Sequence, residues 1–270
     1  MSGEIAPALL ETVARRSSVI ETLLEARADK RELEEALDVS RTTIDRAIDR
    51  LGDAGCVCYH DGTWGVTLLG RLAYEEYDRL SERYRSLVAA RSLLDQFPSE
   101  TAIDMRLLTG AEVSVAEPPA PHTPLAELES LLDGCEHVRG LSSVVLPKYI
   151  SLLYESTVEN GVDTTVVFDA DLVEYLRTHH AETVSDVLEA EGGAIWQCDQ
   201  RPPFSFTVVD ERVVWFAVYD EAGGLRGSIA NDSPGAVAWA TEAFRSYRQR
   251  AEPVLPSGES STPVSENCSD

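Results

Sequence analysis

Residues 29–52 read Asp29-Lys30-Arg31-Glu32-Leu33-Glu34-Glu35-Ala36-Leu37-Asp38-Val39-Ser40-Arg41-Thr42-Thr43-Ile44-Asp45-Arg46-Ala47-Ile48-Asp49-Arg50-Leu51-Gly52. Two short helices separated by a turn follow from that order. Asp29 is an N-cap residue ahead of Leu33, Ala36 and Leu37, which fall at helical spacing. Asp38 and Val39 make the turn, and Ser40 caps a second helix. In that helix Ile44, Ala47, Ile48 and Leu51 form one apolar stripe, leaving Arg41, Thr42, Thr43, Asp45, Arg46 and Arg50 outside. A helix pair whose second member is polar at its exposed N-terminal end is the helix-turn-helix arrangement, which sets that end in the DNA major groove.

The residues that follow extend the motif. Gly52 and Gly55 end the helix, and Cys56-Val57-Cys58-Tyr59 alternates like a strand. Asp61-Gly62 is a hairpin turn, and Trp64-Gly65-Val66-Thr67 returns as the partner strand. A hairpin directly after a recognition helix is a wing. The competing reading is a winged helix used only for protein contacts. Arginines and threonines stand where a partner-binding helix would carry apolar anchors, and that favours DNA. The expected DNA contacts are Ser40, Arg41, Thr42, Thr43, Arg46 and Arg50, with His60 from the wing.

Cys56, Cys58 and His60 alternate along one strand and invite two further readings, a metal site and a redox switch. Three ligands without a second cluster rarely make a structural zinc site, so no metal is expected. Cysteines two apart on a strand cannot readily pair with each other. Plain packing is the default, and no cofactor is expected.

Upstream, Ile5, Leu9, Leu10 and Val13 mark a first amphipathic helix. Ser18 can cap a second one with Val19, Ile20, Leu23 and Leu24 inward. Downstream, Leu68 to about Leu94 is a long helical pattern. Ala73, Tyr77, Leu80, Tyr84, Leu87 and Leu94 recur at spacings of four and three, interrupted at Arg91. That seam either packs back on the winged helix or joins two copies of the chain.

The second half changes grammar. Residues 103–115 alternate weakly around Thr109-Gly110, which suggests a short hairpin, and residues 117–124 form a proline-rich connector. A helix from Leu125 to Leu132 precedes a strand from Val138 to Leu146, a helix from Tyr149 to Glu159 and a strand from Thr164 to Phe168. This βαβ unit makes its two strands parallel. Helices over 172–179 and 183–189 lead to four strand-like runs at 194–198, 204–209, 213–219 and 225–230. Ser233-Pro234 opens a last helix with Val237, Trp239, Ala240, Phe244 and Tyr247 inward. Asp169 and Asp171 could suggest magnesium, but Asp171 reads better as a helix cap. The expected fold is α+β in two domains: a winged helix-turn-helix at 1–70, a linker or dimerisation helix at 71–97, an α/β sensor domain with a mixed sheet at 98–250, and a disordered acidic tail at 251–270.

With 47 acidic against 23 basic residues the formal net charge is -24, and Lys30 and Lys148 are the only lysines. Even residues 29–61 carry more acids than bases. A DNA-binding domain ordinarily draws affinity from counterion release, which fades as salt rises. An acidic, lysine-poor surface suits a very salty cytoplasm, so a halophilic host reconciles the charge with DNA. No apolar run reaches membrane-span length, Met1-Ser2-Gly3-Glu4 lacks a basic leader, and five cysteines without framework spacing fit a reducing compartment. A cytoplasmic location is expected.

Residues 13–70, with Leu68-Leu69-Gly70 after the wing, resemble the winged helix-turn-helix domain of archaeal transcription regulators. Residues 125–248 resemble the sensor, or middle, domain of the methanogenesis-regulator type. That likeness is carried by Val138-Arg139-Gly140-Leu141-Ser142, Pro147-Lys148-Tyr149, Gly161-Val162-Asp163, the runs from Phe204 to Tyr219, and the helix from Trp239 to Arg248. The resemblance implies promoter binding, a signal read by the C-terminal half, and a sensor fold related to phospholipase D-like domains. The chain lacks the His-x-Lys-x4-Asp motif that phosphodiesterase catalysis in that fold needs, so no enzymatic activity is expected. The alternatives are a protein-interaction module or a phosphodiesterase-like enzyme that does not bind DNA. Arg139, Ser142, Ser143 and Lys148 lie near a strand end before a helix, where α/β sheets take ligands. They are the candidate site for a small anionic effector. The expected partners are double-stranded promoter DNA, that effector and a second copy of the chain.

Overall fold

The computed structural model describes residues 2–256, with side chains from Ala6 onward. Two compact units divide the chain, residues 1–85 and 86–270. The first opens with α1 (Ser2–Arg15), α2 (Ser17–Glu25), α3 (Lys30–Leu37) and α4 (Arg41–Asp53). An antiparallel hairpin follows, β1 (Val57–His60) with β2 (Thr63–Val66), and then α5 (Leu68–Ala89), within which the boundary between the units falls.

Capping chemistry fixes the α3–α4 pair. The Asp29 carboxylate accepts from the amides of Arg31 and Glu32, and Glu32 accepts from the Asp29 amide in return. Asp38 takes the left-handed conformation that ends α3, and the Ser40 hydroxyl accepts from the Thr43 amide. Val13, Val19, Ile20, Leu23, Leu33, Ile44, Ile48 and Leu51 then close one core. Asp61 and Gly62 both have positive φ, as the two-residue turn of a tight hairpin demands. A Cβ on Gly70 would stand 2.1 Å from the Cys56 carbonyl oxygen, so α5 can leave the hairpin this closely only through a glycine.

Some expectations for this unit fail. Leu10, Leu24 and Ala36 are exposed rather than in the core. Ser18 does not cap α2; Arg16 holds the N-cap position and no side chain bonds there. The side chain of Ile5 lies outside the described residues.

The second unit is a three-layer α/β/α sandwich. After α6 (Arg91–Leu94) and α7 (Met105–Leu108) come β3 (Glu112–Val115), α8 (Thr123–Leu132), β4 (His137–Ser142) and α9 (Pro147–Tyr154), which runs on as a π-helical turn (Glu155–Glu159). Then follow β5 (Asp163–Asp169), α10 (Ala170–His179), α11 (Ala181–Glu189), β6 (Gly193–Cys198), β7 (Ser205–Val209), β8 (Val213–Tyr219), β9 (Leu225–Asn231), α12 (Pro234–Arg248) and β10 (Glu252–Pro253). The sheet runs β10-β6-β5-β4-β7-β8-β9-β3, parallel across β4, β5 and β6 and antiparallel elsewhere. One face carries α8, α9, α10 and α11; the other carries α6, α7 and α12.

Four expectations fail in this unit or at its border with the first. Residues 103–115 are not a hairpin. Leu107 and Leu108 are buried on α7, and β3 finds its partner in β9 instead. The buried Asn231 side chain holds this turn, donating to the carbonyls of Leu107 (2.9 Å) and Thr109 (3.0 Å) and accepting from the Ser233 amide (2.8 Å). The cap of α10 is Asp169, which accepts from the Leu172 amide, while Asp171 sits in the first turn. Finally, the expected tail does not begin at 251. Glu252 and Pro253 pair with β6 and Val254 is buried; residues 257–270, on which the rest of that expectation falls, lie outside the described residues. Nor is 71–97 a separate linker. Ala73 and Tyr77 pack on the N-terminal core, whereas Leu87, Leu94 and Phe97 pack within the second unit.

Candidate nucleic-acid interface

The outer face of α4 is polar and open. Ser40, Arg41, Thr42, Thr43, Arg46 and Arg50 are all exposed, while Ile44, Ala47, Ile48 and Leu51 are buried beneath them. The acid on this face is partly neutralised, because Lys30 of α3 bonds Asp45 at 2.7 Å and that bond holds the Asp45 carboxyl below the usual range. Asp49 stays exposed beside the arginines.

The arginines of α4 differ from most of the other bases of their unit. Arg15, Lys30, Arg31, Arg71, Arg79 and Arg85 each lie against a carboxylate. Arg41, Arg46 and Arg50 have no carboxylate at ion-pair distance among the described residues. In a chain with twice as many acids as bases, cations left open on one helix face are the ones available to an external anion.

The hairpin is braced for rigidity. The Arg27 guanidinium donates to the Thr63 hydroxyl (3.2 Å) and carbonyl (3.0 Å), and Ala28 exchanges backbone bonds with Trp64. The Thr67 hydroxyl donates to the Gly55 carbonyl at 2.7 Å, tying the hairpin's exit to its entry. His60 is exposed near the tip, 3.1 Å from the Asp61 carboxylate. The three sulfur and imidazole groups do not share one open face. Cys56 is fully buried, with its thiol pushed up by burial, whereas Cys58 and His60 are exposed. Among the described residues no group of three His, Cys, Asp or Glu is placed to hold a metal.

The four candidate effector residues do not converge. Arg139 stands in the amino-terminal half of β4, where its guanidinium bonds both carboxylate oxygens of Asp163 (3.1 and 3.0 Å) and the Val138 and Asp163 carbonyls. Lys148 bonds Glu129 at 3.1 Å. Ser142 is buried at the other end of β4 and donates to Ser205 at 2.8 Å; Ser143 donates to the Pro202 carbonyl. Both cations are thus neutralised within the chain, and the anionic site read from them is not built. The reading failed because Arg139 lies at the wrong end of its strand, a distinction that strand length alone decides.

The unit instead has an apolar cavity of about 40 Å³ between β5, β6 and the helices α9 to α11. It is lined by Leu153, Val166, Leu176, Val184 and Val187 among others, and its polar members are Tyr154, Thr157, Thr164, His180 and Thr183. The hydroxyls of Thr157 and Thr164, also in the lining, are spent on backbone carbonyls. Sequence reasoning missed this cavity, since apolar residues on both sides of a gap read the same as apolar residues in contact.

Residues 121–250 match the family model of the methanogenesis regulatory protein FilR1, middle domain. Residues 6–87 match that of the HVO_A0261 N-terminal domain. No curated protein matches the chain. Among solved structures, Nuc from Salmonella typhimurium, a phospholipase D family member, is 13% identical over 54% of this chain and 98% of its own, with a TM-score of 0.44. NucT from Helicobacter pylori is 10% identical over 54% and 98%, with a TM-score of 0.42. TrmBL2, an archaeal chromatin protein with a novel mode of DNA binding, is 14% identical over 90% and 94%, with a TM-score of 0.38. The FilR1-type segment holds the sheet from β4 to β9 with α8 to α12, and the HVO_A0261-type segment holds α4 and the hairpin. No helix among the described residues is long and apolar enough to cross a membrane.

Proposed function

We propose that this chain is a sequence-specific DNA-binding transcription regulator of a halophilic archaeon, acting in the cytoplasm. Residues 1–70 serve as a winged helix-turn-helix, and the FilR1-type half senses a signal. The observation that carries the reading is the set of open arginines on α4, above a braced hairpin in the position of a wing. No histidine of the chain is followed two residues on by lysine, which supports a regulator over a phosphodiesterase. Recovery of specific promoter fragments by the full-length protein in molar potassium chloride is the direct test. Failure to retain any duplex there, or phosphodiester hydrolysis by the protein, defeats it.

The regulator is read as a homodimer through α5. Ala73 and Tyr77 are used in the N-terminal core, but the same helix face continues through Leu80 and Tyr84, which are 38% and 62% exposed. The four-and-three spacing thus outlasts the core it packs on, as a seam for a second helix does. Two linked wings would also raise avidity without new contacts per wing. In light scattering the wild type is expected at twice the chain mass and Leu80→Glu with Tyr84→Glu at the chain mass. A monomeric wild type removes the seam from the model of function.

The effector is read as a molecule that inserts a small apolar group into the cavity beneath α9 to α11, with His180 and Tyr154 near its polar end. An apolar cavity favours such a group over water. Val184→Met and Val187→Met are expected to fill the space, leave operator affinity within about twofold, and abolish the response to the signal in cells. An intact response in both variants removes the site.

A further inference from the structure

We propose that the groove beside α4, formed by the end of α1, the start of α2 and the face of α4, receives a backbone phosphate of the bound DNA, with Arg16 as its principal contact. The inference rests on the DNA-binding reading and adds to it a second anchoring point, off the recognition helix.

The groove holds about 490 Å³ and is lined by Arg15, Arg16, Ser18, Thr43 and Arg46 over an apolar floor that includes Val19, Ile44 and Ala47. Its lining contains three arginines and no carboxylate. That is an unusual composition in a chain with 47 acids and 23 bases. Arg15 spends its Nε on Glu11 at 3.0 Å. Arg16 has no ion pair among the described residues, and its Nε is shielded from solvent without a hydrogen-bond partner. Its terminal nitrogens are neither buried nor bonded among the described residues, so they are the donors open to an acceptor from outside the chain. A phosphate oxygen is the acceptor whose charge and geometry suit a guanidinium fork.

The position supports the assignment. Thr43 and Arg46 belong both to this groove and to the outer face of α4, so a strand whose bases meet α4 passes the groove with its backbone. Besides Arg15, Arg16 and Arg46, the polar groups of the lining are two hydroxyls: Ser18 is exposed, and Thr43 is hydrogen-bonded to Ser40 at 2.9 Å. Serine and threonine hydroxyls are ordinary phosphate donors. No side chain caps α2, whose first turn opens on the same space.

The contact would carry no base information, and that separates it from Arg41 and Arg46. For Arg16→Gln we expect affinity to fall on the order of tenfold for the operator and for a mixed-sequence duplex alike. The slope of log affinity against log salt should flatten by about one. Arg16→Lys keeps the charge and should keep the slope. Ser18→Glu brings a carboxylate into the lining from an exposed position and should weaken both duplexes similarly, without touching the core. Circular dichroism at the same salt confirms that each variant is folded. Unchanged affinity and slope in folded Arg16→Gln, or in Ser18→Glu should Arg16→Gln fail to fold, overturns the groove. The DNA-binding reading is tested separately, because Arg41→Ala, which lies outside the groove lining, would still lose operator binding. A wild type that holds neither duplex overturns both.

Discussion

Replacing Arg41 and Arg46 together by alanine is expected to lower operator affinity by on the order of 10² to 10⁴, at about 1–3 kcal/mol for each bidentate contact with a base edge. Binding to unrelated duplex should fall far less, so the ratio of the two should collapse toward one. The fold is not at risk, because both residues are exposed and the buried stripe of Ile44, Ala47, Ile48 and Leu51 is untouched. Neither arginine has a carboxylate at ion-pair distance among the described residues, so the result is not confused by a lost ion pair. Gel shift or fluorescence anisotropy in molar potassium chloride, with operator and scrambled duplexes side by side, reads the difference. If the double variant keeps the parent's discrimination, α4 is not the recognition helix. Arg50 should matter less, since it lies in the last turn of α4, away from the end that enters the groove.

What could be read in the sequence was local. The capping residues Asp29, Ser40, Ser233 and the turn at Asp61-Gly62 stand where their chemistry puts them, because each acts on amides or dihedrals only a few residues away. The open arginines of α4 were also visible, since helical spacing separates them from the buried stripe without any knowledge of the rest of the chain. Two caps were misplaced by a residue or two, at Ser18 and Asp171, but the larger errors came where a partner far along the chain decides. Residues 112–115 looked like half of a local hairpin, yet β3 pairs with β9, more than a hundred residues on. Glu252 and Pro253 looked like the start of a tail because nothing near them is apolar, but β6 offers an open edge. Arg139 and Lys148 looked available because lysine and arginine are scarce. The same acidity that made them conspicuous supplies Asp163 and Glu129 to neutralise them. The groove at Arg16 was invisible for the opposite reason, since its lining comes from four helices and only the assembled unit shows that no acid enters it.

In dilute buffer the protein is expected to lose structure, and molar potassium chloride is expected to restore it. With 47 acids and 23 bases, pairing every base with a carboxylate still leaves a net charge of -24, so repulsion cannot be removed within the chain. Screening must come from solvent: the Debye length falls from about 30 Å at 0.01 M to about 3 Å at 1 M salt. The surplus is concentrated in residues 86–270, so the sandwich should respond more strongly than the helical unit. Tryptophan reports on this division, because Trp64 lies in the hairpin whereas Trp196, Trp215 and Trp239 lie in the sandwich, with Trp215 fully buried. A red shift of emission at low salt, reversed by potassium chloride and larger than any loss of far-ultraviolet helix signal, is the expected pattern. The same titration bears on function, since the salt that restores the sandwich also weakens every phosphate contact. Binding should therefore pass through a maximum as salt rises, limited by folding on one side and by screening on the other. Cooperative folding that is complete in dilute buffer, with affinity falling steadily from the lowest salt, would show that the acidic surface is no adaptation to salt and would remove the physical reason for an acidic DNA-binding protein.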